Sequence, residues 1–188
     1  MGPSIIARNY AETLLALARK HGGEPTAEAY ARAIDEVARL IRREPRVHEF
    51  LATPRIDAAA KQKVLRDALS ERVPELFLRF VLVVVDKRRQ MLIPEIADEF
   101  RALLDEVHNR VRAEIVLARE PDADLQQEIV DALAQRLGKT IVPSFRVDPS
   151  LMGGVLVRIG DQIFDGSLRR RMRDLRRSLL AVRLPEPA

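Results

Sequence analysis

Apolar residues recur every three or four positions through about residue 108, the spacing that places them on one side of an α-helix. Ser4 precedes a first series, Ile6, Tyr10, Leu14 and Leu17, which halts at Gly22-Gly23. Thr26 opens a second, with Tyr30, Ile34, Val37, Leu40 and Ile41 directed inward and an end before Pro45. Arg46 to Leu51 predicts a short third helix. It stops at Thr53-Pro54, because the residue before a proline disfavours the α region. Asp57 caps a fourth helix carrying Val64, Leu65, Ala68 and Leu69. Pro74 and Pro94 each suit the first turn of a helix, where the missing N–H costs nothing. They introduce a fifth helix and a sixth, the latter with Ile96, Phe100, Leu103 and Val107.

The fifth helix has a different texture. Leu76 to Val85 is apolar nearly all round, interrupted by Arg79. Such a helix is either enclosed by its neighbours or exposes apolar surface to a partner. The valine-rich part also fits a buried strand. Helix is the better reading because the breaks fall at Pro74 and Lys87-Arg88-Arg89, between helical neighbours.

After His108 the period changes to two. Ala113, Ile115 and Leu117 alternate with Glu114 and Val116, and Ile141 to Val147 predicts a second strand. Pro143 has no N–H for a ladder and so belongs at an edge or a bulge. Between them Asp122 or Asp124 caps a helix with Leu125, Ile129, Leu133 and Leu137, closed by Gly138. Val155, Val157 and Ile159 alternate again, and Gly160-Asp161 predicts a tight hairpin leading to Ile163 and Phe164. Ser167 then caps a helix with Leu168, Met172, Leu175 and Leu179 on one face and six arginines elsewhere. The fold class is therefore α+β: an N-terminal six-helix bundle, then a small C-terminal α/β domain with a short mixed sheet and a basic terminal helix. The boundary falls near residues 105–111, dividing 1–107 from 108–188. Leu184 to Ala188 reads as a frayed tail.

Composition narrows the chemistry. Apolar residues make up 47%, enough for a core, but aromatics only 4%, so aliphatic helix packing must supply it. The absence of cysteine excludes disulfides, thiolate chemistry and Cys-based zinc sites, and fits a reducing compartment. The 32 bases and 28 acids are interleaved, as on solvated helix faces. No apolar run approaches the roughly 18 residues of a membrane span, and the N-terminus lacks a signal-peptide pattern. A soluble cytoplasmic protein is expected.

The candidate chemical motifs dissolve on inspection. Gly138-Lys139-Thr140 looks like the end of a phosphate loop, but Leu133 stands where the loop's first glycine belongs, so Gly138 reads as a helix C-cap. His48-Glu49 lacks a second histidine at Ala52. Asp161 and Asp165 beside Gly160 and Gly166 read as turn and cap residues, and Gly153-Gly154 as a close backbone approach. The arginines of the last helix fit a solvated face, a protein partner, nucleic acid or lipid. No aromatics interleave with them, which disfavours nucleic acid.

Three stretches together resemble the delta subunit of F-type ATP synthases, the oligomycin-sensitivity-conferring protein family. Arg8-Asn9-Tyr10-Ala11 is similar to the family's Arg-x-Tyr-Ala, with Asn9 at a frequent proline position. Lys87 to Pro94 resembles its Arg-then-Pro link, here more basic than the usual Asn-Gly-Arg. Phe145 to Ser167 resembles the family signature almost throughout. The resemblance implies a non-catalytic peripheral-stalk subunit, without cofactor, metal or nucleic acid, that joins the catalytic head to the membrane-anchored b subunits and resists rotational torque. It implies a place on the cytoplasmic face of the cell membrane, held there only through the complex. It further implies that the N-terminal helix of an α subunit lies in a groove between the first and fifth helices. Tyr10, Thr13, Leu14 and Leu17 would form one wall, and Phe80, Val83 and Lys87 the other. Ile163, Phe164, Leu168 and Met172 would receive the C-terminal end of the b subunits.

Overall fold

The computed structural model describes the backbone of residues 5–181 and the side chains of residues 5–177. Ser4, the side chain of Leu179 and the tail from Leu184 lie outside them. The chain separates into two compact units, Met1–Val107 and His108–Ala188.

The first unit is helical. Its elements are α1 (Ile5–Arg43), α2 (Pro45–Ala52), α3 (Ala58–Leu69), α4 (Glu75–Asp86), a 3-10 turn (Gln90–Leu92) and α5 (Ile93–Val107). The two helices expected on either side of Gly22-Gly23 form one element with a break. Both glycines leave helical geometry, and Gly23 adopts φ 67° with ψ −145°, a region open almost only to glycine. Helical structure resumes at residue 24, so Pro25 sits in the new first turn and Thr26 lies inside the helix, not at its cap. Pro45 likewise opens α2, whereas Pro74 stands just before α4. The valine-rich segment is helix, not strand.

Small residues let the long helices approach closely. Ala7, Ala11, Ala18, Ala27, Ala31 and Ala38 are buried beside Tyr30, Ile34, Phe77, Phe100 and Leu104 in one core. Asp35 on α1 pairs with Arg101 on α5, and Arg42 pairs with Asp98 and donates to the Pro94 carbonyl. Several residues expected inward are exposed: Ile6, Leu40, Val64 and Val107. On α3 the reason is specific. Its most buried side chain is Lys61, whose ammonium donates to the carbonyls of Leu51 and Thr53 at 2.7 Å each. Those carbonyls end α2 without helical partners, and a cation there also suits the helix dipole. Lys61, Leu65 and Leu69 form the narrow inner stripe, which turns Val64 outward.

The second unit is a mixed sheet of β1 (Arg110–Leu117), β2 (Thr140–Val147), β3 (Val155–Ile159) and β4 (Gln162–Asp165), in the order β2-β1-β3-β4. β1 runs parallel to β2 and antiparallel to β3, and β4 is antiparallel to β3. α6 (Ala123–Leu137) connects the parallel pair, capped by Asp122 and closed by Gly138 in the left-handed conformation. Ile129, Leu133 and Leu137 of α6 pack on Ala113, Ile115, Ile141 and Val157. Pro143 lies on the edge strand β2. Gly160 takes φ 54° in the two-residue β3–β4 turn, and α7 (Leu168–Ala181) follows.

Candidate partner-binding surfaces

Two stripes run along the first limb of α1. Ala7, Ala11, Leu14 and Ala18 are buried, while Ile6, Tyr10, Thr13 and Leu17 lie one position away and are exposed or half-buried. Leu14 is 0% exposed, so it supports the surface from beneath and presents none of it. Helical spacing alone does not separate these two stripes, because both follow the same period.

α4 shows the complementary pattern. Phe77, Leu78, Phe80, Val81, Val84 and Val85 are buried, whereas Val83 is 51% exposed. Leu76, Phe80, Val83 and Lys87 share one face at four-, three- and four-residue spacing. The α1 and α4 stripes meet at Tyr10 and Phe80, whose rings stand edge to face with centroids 6.1 Å apart. Arg89, just past α4, completes the junction. Its guanidinium carbon is 5.7 Å from the Tyr10 ring centroid, and its Nη1 donates to the Tyr10 hydroxyl at 3.3 Å. Thr13 spends its hydroxyl on the Asn9 carbonyl at 2.7 Å. Ile6 and Leu76 were legible as stripe members from their spacing. Arg89 was not, because it lies beyond the helix and a turn directs it.

In the second unit the strand register separates two of the expected contact residues. Ile163 pairs with Arg158, which pairs with Glu114, while Phe164 pairs with Val157, which pairs with Ile115. Paired residues point to the same face, so Phe164 faces the α6 side and Ile163 the opposite side. On that opposite side Glu114 has Arg158 at 3.4 Å and Arg146 at 3.8 Å. Leu168 and Met172 do lie together on α7, joined by Leu175, and all three are exposed. Thus, among the described residues, α7 presents an apolar stripe that its own unit leaves open. A hollow of about 640 Å³ adds apolar surface, lined by Leu117, Leu125, Ile129, Met152 and Val155. It depends on the approach of three separate segments, which no sequence period announces.

Acids here are structural. The hydroxyl and amide of Ser167 both hydrogen-bond the Asp165 carboxylate, holding its pKa below the ordinary value, and Arg170 and Arg173 add to this. Ser150 does the same for Asp148. Depressed carboxylates are poor proton donors near neutral pH. The Ser167 hydroxyl also accepts from the Arg170 amide at 3.2 Å, which caps α7. Among the described residues no group of three or more His, Cys, Asp or Glu could hold a metal. Nor is any described helix long and apolar enough to cross a membrane. The surfaces can bind by apolar contact and by arginine charge.

Comparison with known proteins gives a consistent result. The family described as "ATP synthase delta (OSCP) subunit" matches residues 6–179. An ATP synthase subunit delta of Gemmatimonas aurantiaca is 46% identical over 178 residues, covering 95% of each chain. That of Desulforamulus reducens is 35% identical, covering 94% of this chain and 96% of its own. A chain of the Toxoplasma gondii mitochondrial ATP synthase hexamer has the same fold, with TM-score 0.71 at 20% identity over 96% of this chain and all of its own.

Proposed function

Because the chain belongs to the ATP synthase delta (OSCP) subunit family, we propose that it joins the catalytic head to the peripheral stalk, using one unit for each. It is a non-catalytic subunit, associated with the membrane through the complex. The α1–α4 groove receives the N-terminal helix of an α subunit, with Tyr10 and Val83 as its apolar surface and the buried Phe80 ring supporting them from beneath. The second unit receives the C-terminal end of the b subunits on the α7 stripe of Leu168 and Met172 and the adjoining β4 edge. The location is the cytoplasmic face of the cell membrane.

One observation carries this reading: α4 has more apolar surface than its own bundle covers, and the excess lies beside the Tyr10–Phe80 contact. A stator must hold against torque, so its joints need long lifetimes. Differences in lifetime reside mostly in dissociation rate, which buried apolar contact slows.

Calorimetric titration of the full chain with two peptides tests the assignment. One peptide is the N-terminal helix of the α subunit, and the other is the C-terminal end of the b subunits. Each should bind, and both should bind at once. If neither binds, the reading fails. If the two compete, the division of labour between units is wrong.

A further inference from the structure

The turn after α4 is fixed from two sides. On one, the backbone closes α4: the amides of Arg88 and Arg89 donate to the carbonyls of Val85 and Val84 at 2.9 Å each, with Arg88 in the left-handed conformation. On the other, a side chain ties the turn to a distant helix. Gln90 is 7% exposed, and its Nε2 donates at 2.8 Å to the carbonyl of Leu51 in the last turn of α2. That carbonyl already accepts from the Lys61 ammonium at 2.7 Å. The Gln90 Oε1 is buried and has no hydrogen-bond partner among the described residues. Turning the amide over brings no relief, because it sets that oxygen against the Leu51 carbonyl, acceptor to acceptor. Gln90 thus serves a carbonyl that has another donor and leaves its own acceptor orphaned, which costs stability. An apolar side chain of similar length fills the same space without that cost. A local choice that works against stability is a mark of a functional position.

We infer that Gln90 is a positioning residue of the α1–α4 groove. Buried itself, it acts through the turn it anchors: with Gln90 tied to α2, Arg89 lies against the Tyr10 ring of the groove wall before any partner arrives. The inference rests on the groove assignment above and adds a residue outside the groove. Apolar packing at position 90 would bury the turn without fixing it, because the hydrophobic effect has no direction, whereas a hydrogen bond sets distance and angle. A wall set in advance spares the complex the cost of ordering it on binding.

Gln90→Met in the full chain, with the α-subunit N-terminal peptide as probe, separates positioning from support. The thermal midpoint should equal or exceed that of wild type, because the orphaned acceptor is gone while Lys61 still satisfies the Leu51 carbonyl. The peptide should nonetheless bind about tenfold more weakly, the scale of ordering one or two side chains at an interface. In the free chain, the Arg89 Nε–H resonance should lose the shift that the Tyr10 ring imposes on it. Gln90→Leu should give the same three results, and it stands in if Gln90→Met fails to fold. A lower midpoint with unchanged peptide binding makes Gln90 a support only and overturns the inference. So does an Arg89 resonance that stays at its wild-type position. If the peptide fails to bind the wild-type chain, the groove assignment falls, and the Arg89 resonance still decides whether Gln90 sets the turn.

Discussion

Tyr10 on α1 and Phe80 on α4 meet edge to face, 6.1 Å between centroids and 74° between planes, and so tie together helices 70 positions apart in sequence. Phe80 is the anchor, at 8% exposure. Phe80→Ala removes a buried ring and should destabilise the first unit by about 3–5 kcal/mol. Tyr10→Phe keeps the ring contact and should shift thermal unfolding little. Equal losses from both substitutions would show that the hydroxyl, not the rings, holds the junction.

Neighbouring valines on α4 should behave oppositely. Val83 is half-exposed and Val84 fully buried. Val83→Asp should leave the helical circular dichroism intact while weakening binding of the α-subunit N-terminal peptide by tenfold or more, on the order of the cost of desolvating an unpaired charge. Val84→Asp should unfold the bundle. A Val83→Asp chain that is folded and binds normally removes Val83 from the groove.

Arg88 occupies φ 56° in the turn after α4. A side chain in the left-handed region costs about 1–2 kcal/mol. Glycine relieves that cost but returns about 0.4–1 kcal/mol through its freer unfolded chain. Arg88→Gly should therefore stabilise the chain by about 0.5–1 kcal/mol, read from the urea midpoint. An unchanged or lower midpoint would mean that the Arg88 side chain contributes as much as its backbone strain takes away.

Gly154 sits at φ 81°, where an added Cβ would lie 2.5 Å from the Gly166 carbonyl oxygen. Backbone, not a movable side chain, fills that space. Gly154→Ala should destabilise the second unit by more than about 2 kcal/mol, since strained φ and overpacking each cost on the order of 1–3. Limited proteolysis should then cut within 108–188 first. Resistance equal to wild type would contradict the close approach.

Asp165 has a folded pKa below its ordinary value because Ser167 hydrogen-bonds its carboxylate. Such a group stabilises the fold above its unfolded pKa and loses that contribution as pH falls through the depressed folded value. The β4–α7 joint should thus be unaffected near neutrality and loosen only at pH below the ordinary carboxylate range. The Ser167 amide chemical shift, followed against pH, reports it. A transition at or above the ordinary range would refute the hydrogen bond.

Much was legible from local rules. Asp57, Asp122 and Ser167 cap helices where their spacing said they should, because a cap is decided by a side chain and an amide three residues away. Gly138 closes α6, and Pro143 sits on an edge strand, since each follows from what one residue can do with its own backbone. The α+β class followed from the switch of period near His108. The family resemblance rested on continuous stretches, which need no tertiary information.

What escaped were choices made between elements. The period of α1 marks Leu14 and Tyr10 alike, and only packing against its neighbours buried the first and left the second at a surface. The terminal amphipathic pattern was plain, but whether Leu168 and Met172 would be covered depended on what else the fold supplied, and among the described residues both stay exposed. Ile163 and Phe164 are adjacent in sequence and on opposite faces of the sheet, because successive side chains of a strand point to opposite sides. Arg89 owes its place over Tyr10 to a turn that no periodicity encodes. Local backbone preference and hydrophobic period belong to the sequence. Which of two equivalent faces meets water is settled only when all the helices and strands compete for the same limited interior.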